Sequence, residues 1–138
     1  GISNNHGAAL FERVDVAICL PTPAEVIAGS TRMGAGTAQK IALNMVSTMM
    51  AVHLGHVHDG FMVNLVADNM KLRDRAQRIV MAVSRVSEDK AAAALEQAGG
   101  TVKIAVLLAA GADDVAGAQK LLADNENRLR PALEALGR

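Results

Sequence analysis

The segment Glu25–Lys40 gathers a carboxylate (Glu25), hydroxyls (Ser30, Thr31, Thr37), a guanidinium (Arg32) and glycines at 29, 34 and 36. Glycines let a backbone come close to a ligand, and the free amides at the start of a following helix favour an anion. Ser30, Thr31 and Arg32 add donors to the same place. Glu25 is then the carboxylate at hand, and a carboxylate held beside anion-binding donors suits proton abstraction from a phosphorylated substrate. The same residue types also make an ordinary loop and helix cap. Taken alone, the residues leave both readings open.

The elements around the segment decide where it lies. Upstream, Asp15–Leu20 is a short, almost wholly apolar run with β-branched members, ended by Pro21 and Pro23. Such a run predicts a strand buried on both faces, as in a parallel α/β sheet, with Cys19 as a small core residue. In open α/β sheets ligands bind beyond the carboxyl ends of the strands, which is where Glu25–Lys40 follows. The opening Gly1–Gly7 reads as the tail of a strand running into a turn, and Ala8–Phe11 has helical spacing. Downstream, a helix is expected from about Gly36 to Leu54, stopped by Gly55. A polar turn, His56–Gly60, follows. Met70, Leu72, Ala76, Ile79, Val80 and Val83 then form one face of an amphipathic helix. Past Ser87, an N-cap with first-turn acids Glu88 and Asp89, the expectation is three short helices. They comprise Ala91–Ala98, Thr101–Ala110 and a third opened by Asp113 and Asp114, with Gly99, Gly100 and Gly111 as breaks. The organisation read from this is residues 1–85 as part of an α/β domain and 86–138 as a small three-helix domain. The chain is expected to be mostly helical, with one or two short parallel strands.

Composition narrows the partners. The chain has 138 residues, 51% of them hydrophobic, and balances 14 basic against 14 acidic residues. Zero formal charge gives no field to collect nucleic acid or anionic lipid. Two Phe, no Trp and no Tyr leave no stacking platform for bases. Asn44, Ser47 and His53 interrupt the longest apolar stretch, and no basic-then-apolar leader opens the chain. A single cysteine fits a reducing setting, so a cytoplasmic protein is expected, without membrane or nucleic-acid partners.

The pattern Glu-Val-Ile-Ala-Gly-Ser-Thr-Arg-Met-x-Ala-Gly-Thr-Ala-Gln-Lys at Glu25–Lys40 resembles the signature of the N-acetylmuramic acid 6-phosphate etherases, of the SIS (sugar isomerase) fold. The similarity continues through Leu43-Asn44-Met45, Leu54-Gly55, Met62-Val63-Asn64-Leu65, Ala67-Asp68-Asn69 and Lys71-Leu72-x-x-Arg75-Ala76, and more weakly through the helical tail. Upstream, Gly1-Ile-Ser-x-Asn and Asp15-Val16-Ala17-Ile18 resemble the last strands of the same domain. The resemblance implies a truncated SIS fold and a homodimer acting in recycling of cell-wall sugars, with no metal or organic cofactor. The implied reaction cleaves the lactyl ether of N-acetylmuramic acid 6-phosphate to N-acetylglucosamine 6-phosphate and D-lactate.

It further implies that Glu25 touches the sugar, as candidate catalytic residue, and that Gly29, Ser30, Thr31, Arg32 and Thr37 join it in binding substrate. Family members are about twice as long, so the resemblance covers their C-terminal half. The main catalytic glutamates are then expected upstream, and this chain alone is expected to be inactive. Gly34 stands where the family usually has lysine, and Ala24 where it usually has proline. Asn64 and Asp68 replace a more frequent Asp and Thr. The relatives include regulatory proteins, so a non-catalytic sugar-phosphate-binding module is the alternative, with a mere interaction scaffold third. His53, His56 and His58 are expected to be solvated or capping rather than metal ligands. Arg73, Arg75, Arg78 and Arg85 are expected on a solvated helix face, and Lys103 is expected to snorkel to the surface.

Overall fold

The computed structural model describes all residues from Gly1 to Arg138. The order is β1 (Ile2–Ser3), a 3-10 turn (Ala9–Arg13), β2 (Ile18–Cys19), α1 (Ala35–His53), β3 (Val57–His58), β4 (Phe61–Met62), α2 (Met70–Ser84), α3 (Glu88–Gln97), α4 (Val102–Ala110), α5 (Val115–Asp124) and α6 (Leu129–Ala135). The chain is thus mostly helical with short strands, and it divides into two compact units, Gly1–Met50 and Ala51–Arg138.

In the first unit β1 and β2 pair in parallel, Ile2 beside Ile18 and Ser3 beside Cys19. The β-branched run is a strand only at Ile18–Cys19; the Leu20 amide still donates to the Ser3 carbonyl at 2.9 Å, and Pro21 and Pro23, which lack an N–H, follow it. Its burial is less than expected. Ile18 and Cys19 are half-buried and Val16 is exposed. Cys19 is therefore not a core residue; its Sγ lies 3.6 Å from Nδ1 of His6. No residue of Gly1–Met50 is fully buried. Along α1, Ile41, Leu43, Met45, Val46, Met49 and Met50 are all exposed.

The second unit holds the core. Ala76, Ile79 and Val80 of α2, Ala91 and Ala94 of α3, and nearly all of α4 are buried together with Ala118, Leu122, Leu129, Ala132 and Leu133. The small side chains on α2, α3 and α4 let these helices approach closely, so dense packing is reached without aromatics. Asn69 caps α2, its side chain accepting from the Leu72 amide at 3.0 Å, and Asp114 caps α5 through the Gly117 amide at 2.6 Å. Gly100 has a φ of +81°, and a Cβ there would lie 3.2 Å from the Ala67 carbonyl oxygen. The close approach is used: the Ala67 amide donates to the Gly100 carbonyl at 2.9 Å, tying the segment before α2 to the α3–α4 corner.

Two local expectations change. The third helix past Ser87 is two helices, because Glu126 and Asn127 adopt left-handed backbone angles that end one and redirect the chain into the other. The polar turn after α1 is a β-hairpin, with Val57 opposite Met62 and His58 opposite Phe61. Asp59 and Gly60 supply the two positive φ angles that such a two-residue turn requires. No helix is long and apolar enough to cross a membrane.

Candidate functional site

The two parallel strands end at Ser3 and Cys19, and the residues that follow each strand converge. Ser3, Asn4 and Asn5 from one strand end line a cleft of about 470 Å3 with Thr22, Pro23, Ala24 and Glu25 from the other. Thr31, Ala35, Gly36 and Gln39 close it from the start of α1. This is the carboxyl-end position where open α/β sheets bind ligands. Asn4 braces the arrangement: its Nδ2 donates to the Leu20 carbonyl at 2.9 Å, and its Oδ1 accepts from Gln39 Nε2 at 2.6 Å. A side-chain bond of this kind ties the second turn of α1 to both strand ends.

Glu25 is committed to the helix start. The Gly34 amide donates to both carboxylate oxygens, at 3.1 and 2.9 Å, and the Ala35 amide donates to Oε1 at 3.0 Å. These are among the free N–H groups that open α1, where the helix dipole also favours negative charge. The protein's own carboxylate therefore takes the place an external anion would seek. A carboxylate offers roughly four lone-pair sites, so a small share of its acceptor capacity stays open toward the cleft.

Gly34 gives the carboxylate its room. A Cβ at this position would meet Glu25 Oε1 at 3.2 Å and its Cδ at 3.4 Å, so any larger residue presses on the chelate. Gly36 is equally constrained, since a Cβ there would meet the Thr31 carbonyl at 3.2 Å; that carbonyl accepts from the Gly36 amide at 2.7 Å.

Among the residues singled out from sequence, Glu25 and Thr31 line the cleft. Gly29, Ser30, Thr31 and Arg32 form an adjoining open face. Gly29 turns the chain there with a φ of +79°, and the Ser30 amide closes the turn on the Ile27 carbonyl at 3.0 Å. Arg32 is exposed. Thr37 lies on the first turn of α1, exposed and outside both surfaces. Asn4, Thr22 and Gln39 complete the cleft without having been singled out. Gln39 lies inside the Glu25–Lys40 pattern, whereas Asn4 is identifiable only once the strands are paired.

Lys103 also departs from expectation. Instead of snorkelling it is buried, 3% exposed, and its Nζ donates to the Asn127 carbonyl at 2.6 Å. Burial pulls its pKa below the ordinary lysine value. The left-handed turn after α5 brings the Asn127 carbonyl to it, so the ammonium is satisfied inside the protein.

Parallel strand ends, a glycine- and hydroxyl-rich loop and the start of a long helix thus meet at one cleft, with the first helix amides capped by Glu25. Comparison with known proteins gives the family. The chain is 46% identical over 133 residues to the N-acetylmuramic acid 6-phosphate etherase of Pseudothermotoga lettingae, covering 96% of this chain and 44% of the relative. It is 51% identical over 106 residues to the etherase of the same name from Symbiobacterium thermophilum, covering 77% and 35%. Against that of Geobacillus thermodenitrificans it is 41% identical over 133 residues, covering 96% and 45%. No protein-family model matches the chain. By sequence the chain belongs to the N-acetylmuramic acid 6-phosphate etherase family, and it spans less than half the length of these relatives.

Proposed function

We propose that this chain supplies one wall of the sugar-phosphate site of an etherase that converts N-acetylmuramic acid 6-phosphate to N-acetylglucosamine 6-phosphate and D-lactate. The reading is carried by 46% identity to an etherase across 96% of the chain. In this reading the chain is the C-terminal half of a SIS-fold, cytoplasmic protein of cell-wall sugar recycling. Residues 1–85 complete the sugar-isomerase domain and 86–138 form an appended helical domain. Ser30, Thr31 and Arg32, with the backbone at Gly29, hold the sugar phosphate, while Thr37, outside both surfaces, is left out of this set. Glu25 touches the sugar and at the same time anchors the loop on α1. The glutamates that carry out elimination lie outside this chain, which by itself turns nothing over. The exposed apolar side chains of α1, among them Leu43, Met45, Met49 and Met50, support a homodimer built on this helix.

The test is D-lactate release from N-acetylmuramic acid 6-phosphate by the intact protein that carries this segment, with and without Glu25→Gln. Release that falls in the variant supports the assignment. Unchanged turnover and affinity in the variant would refute the role of Glu25.

A second reading, a sugar-phosphate sensor without turnover, is favoured by one observation. Glu25 is held by the Gly34 and Ala35 amides, and Gly34 removes the side chain from the position beside it. Saturable stabilisation of the intact protein by N-acetylglucosamine 6-phosphate, with no lactate released from the muramic substrate, would select it.

A further inference from the structure

Within Ala51–Arg138 a cleft of about 430 Å3 opens between the β3–β4 hairpin, the end of α2 and helix α6. Its charged lining is His58 and Asp59 from the hairpin, Arg85 after α2, and Arg130, Glu134 and Arg138 from the C-terminal segment. We propose that this cleft is a binding site for a phosphate dianion, free or as a phosphomonoester, recognised by Arg85, Arg130 and His58.

Three observations lead there. First, the cleft carries more cationic donors than side-chain carboxylates, with Glu134 as the one unpaired carboxylate in its lining. Asp59 is paired with Arg130 through Oδ1, and Arg138 uses its Nε on the Ala110 carbonyl at 3.3 Å. The Ser84 hydroxyl donates away from the cleft, to the Val106 carbonyl at 3.1 Å. Arg85 makes no hydrogen bond or ion pair within the protein, and a guanidinium matches phosphate oxygens in pairs. Three guanidinium groups, of Arg85, Arg130 and Arg138, line the cleft with two side-chain carboxylates, of Asp59 and Glu134.

Second, the His58 side chain is only 9% exposed, and neither ring nitrogen makes a hydrogen bond; Asp59 Oδ2 stands 3.6 Å from Nε2. The ring nitrogens are not sealed from solvent; they meet it through the cleft and are free for an acceptor that enters there. Its pKa is lowered, chiefly by burial, with Asp59 raising it and Arg130 lowering it further. An arriving dianion would act in the sense of Asp59.

Third, Arg85 stands at the left-handed C-cap of α2, with φ 54° and ψ 44°. Glycine or asparagine normally fills such a position. An arginine there accepts the backbone cost and places its guanidinium at the cleft.

The experiment is NMR titration of the ring signals of all four histidines in the full chain, with inorganic phosphate and with glycerol 1-phosphate, against chloride at equal ionic strength. The expected result is a saturable response at His58 that raises its titration midpoint, with His6, His53 and His56 serving as internal references. A response to phosphate alone identifies the free ion, and a response to both identifies a site that accepts the monoester. Arg85→Gly keeps the left-handed cap and deletes the guanidinium. Phosphate affinity in this variant is expected to fall about tenfold or more with no loss of thermal stability. No saturable His58 response, an equal response at all four histidines or with chloride, or undiminished affinity in Arg85→Gly would overturn the proposal.

Discussion

Replacing Glu25 by glutamine tests the unusual capping of α1 with a change of one atom type. The carboxylate takes three contacts from two amides: Gly34 to Oε1 and Oε2, and Ala35 to Oε1. A carboxamide has a single acceptor oxygen. Placed where Oε1 lies, it retains one bond to each amide, but it turns its NH2 toward the Gly34 N–H and loses the negative charge at the helix start. A hydrogen bond to a charged group contributes roughly 1.5–3 kcal/mol and a neutral one about 1 kcal/mol. Charge at a helix N-terminus adds about 0.3–1 kcal/mol. Because Glu25 is only half-buried, solvent compensates part of the loss, and the first turn of α1 should weaken by about 1–2 kcal/mol. Amide hydrogen exchange at Gly34 and Ala35 should then accelerate roughly 5- to 30-fold. Exchange within Val102–Ala110, in the other compact unit, should not change. Equal protection of Gly34 and Ala35 in the wild type and the variant would refute the chelate.

Further outcomes follow from the second unit. Gly100→Ala should destabilise the protein by about 2 kcal/mol, since it strains a φ of +81° and drives a Cβ to 3.2 Å from the Ala67 carbonyl; thermal melting measures it. Lys103→Met should stay within about 1 kcal/mol of the wild type in denaturant unfolding, because it removes a desolvated charge and leaves a carbonyl on the exposed Asn127 that water can reach. Lys103→Ala should cost about 2 kcal/mol or more by leaving a cavity, and equal losses in the two variants would contradict this. His58 has its pKa lowered on folding, so the unfolded chain binds more protons between the lowered value and 6.5. Stability should therefore rise with pH through that window, and His58→Gln should flatten the rise in a pH series of melts.

Much of the helical frame was legible because its punctuation is local. Gly55, Gly99, Gly100 and Gly111 mark ends that depend on one residue's left-handed angle. The break between α5 and α6 was not legible, since Glu126 and Asn127 turn left-handed without a glycine or proline to announce it. The hairpin carried its signal in Asp59-Gly60, but strands of two residues are too short to show alternation. In the candidate site, the residue types were readable and their pairing was not. That Glu25 reaches the Gly34 and Ala35 amides depends on the path of the intervening loop, and Asn4 joins only through the pairing of β1 with β2. Burial at Cys19 and Lys103 failed as an expectation for one reason. Local apolar context says what a side chain prefers, while enclosure depends on elements distant in sequence.

The most direct test of the account is to follow the backbone amides of Ser30, Thr31, Gly34, Ala35 and Gly36 in the intact protein while N-acetylglucosamine 6-phosphate is added. The account predicts saturable shifts at these amides, weakened by Arg32→Ala. Binding of the sugar phosphate that leaves all five amides unmoved would contradict the claim that Glu25–Lys40 forms a wall of the site.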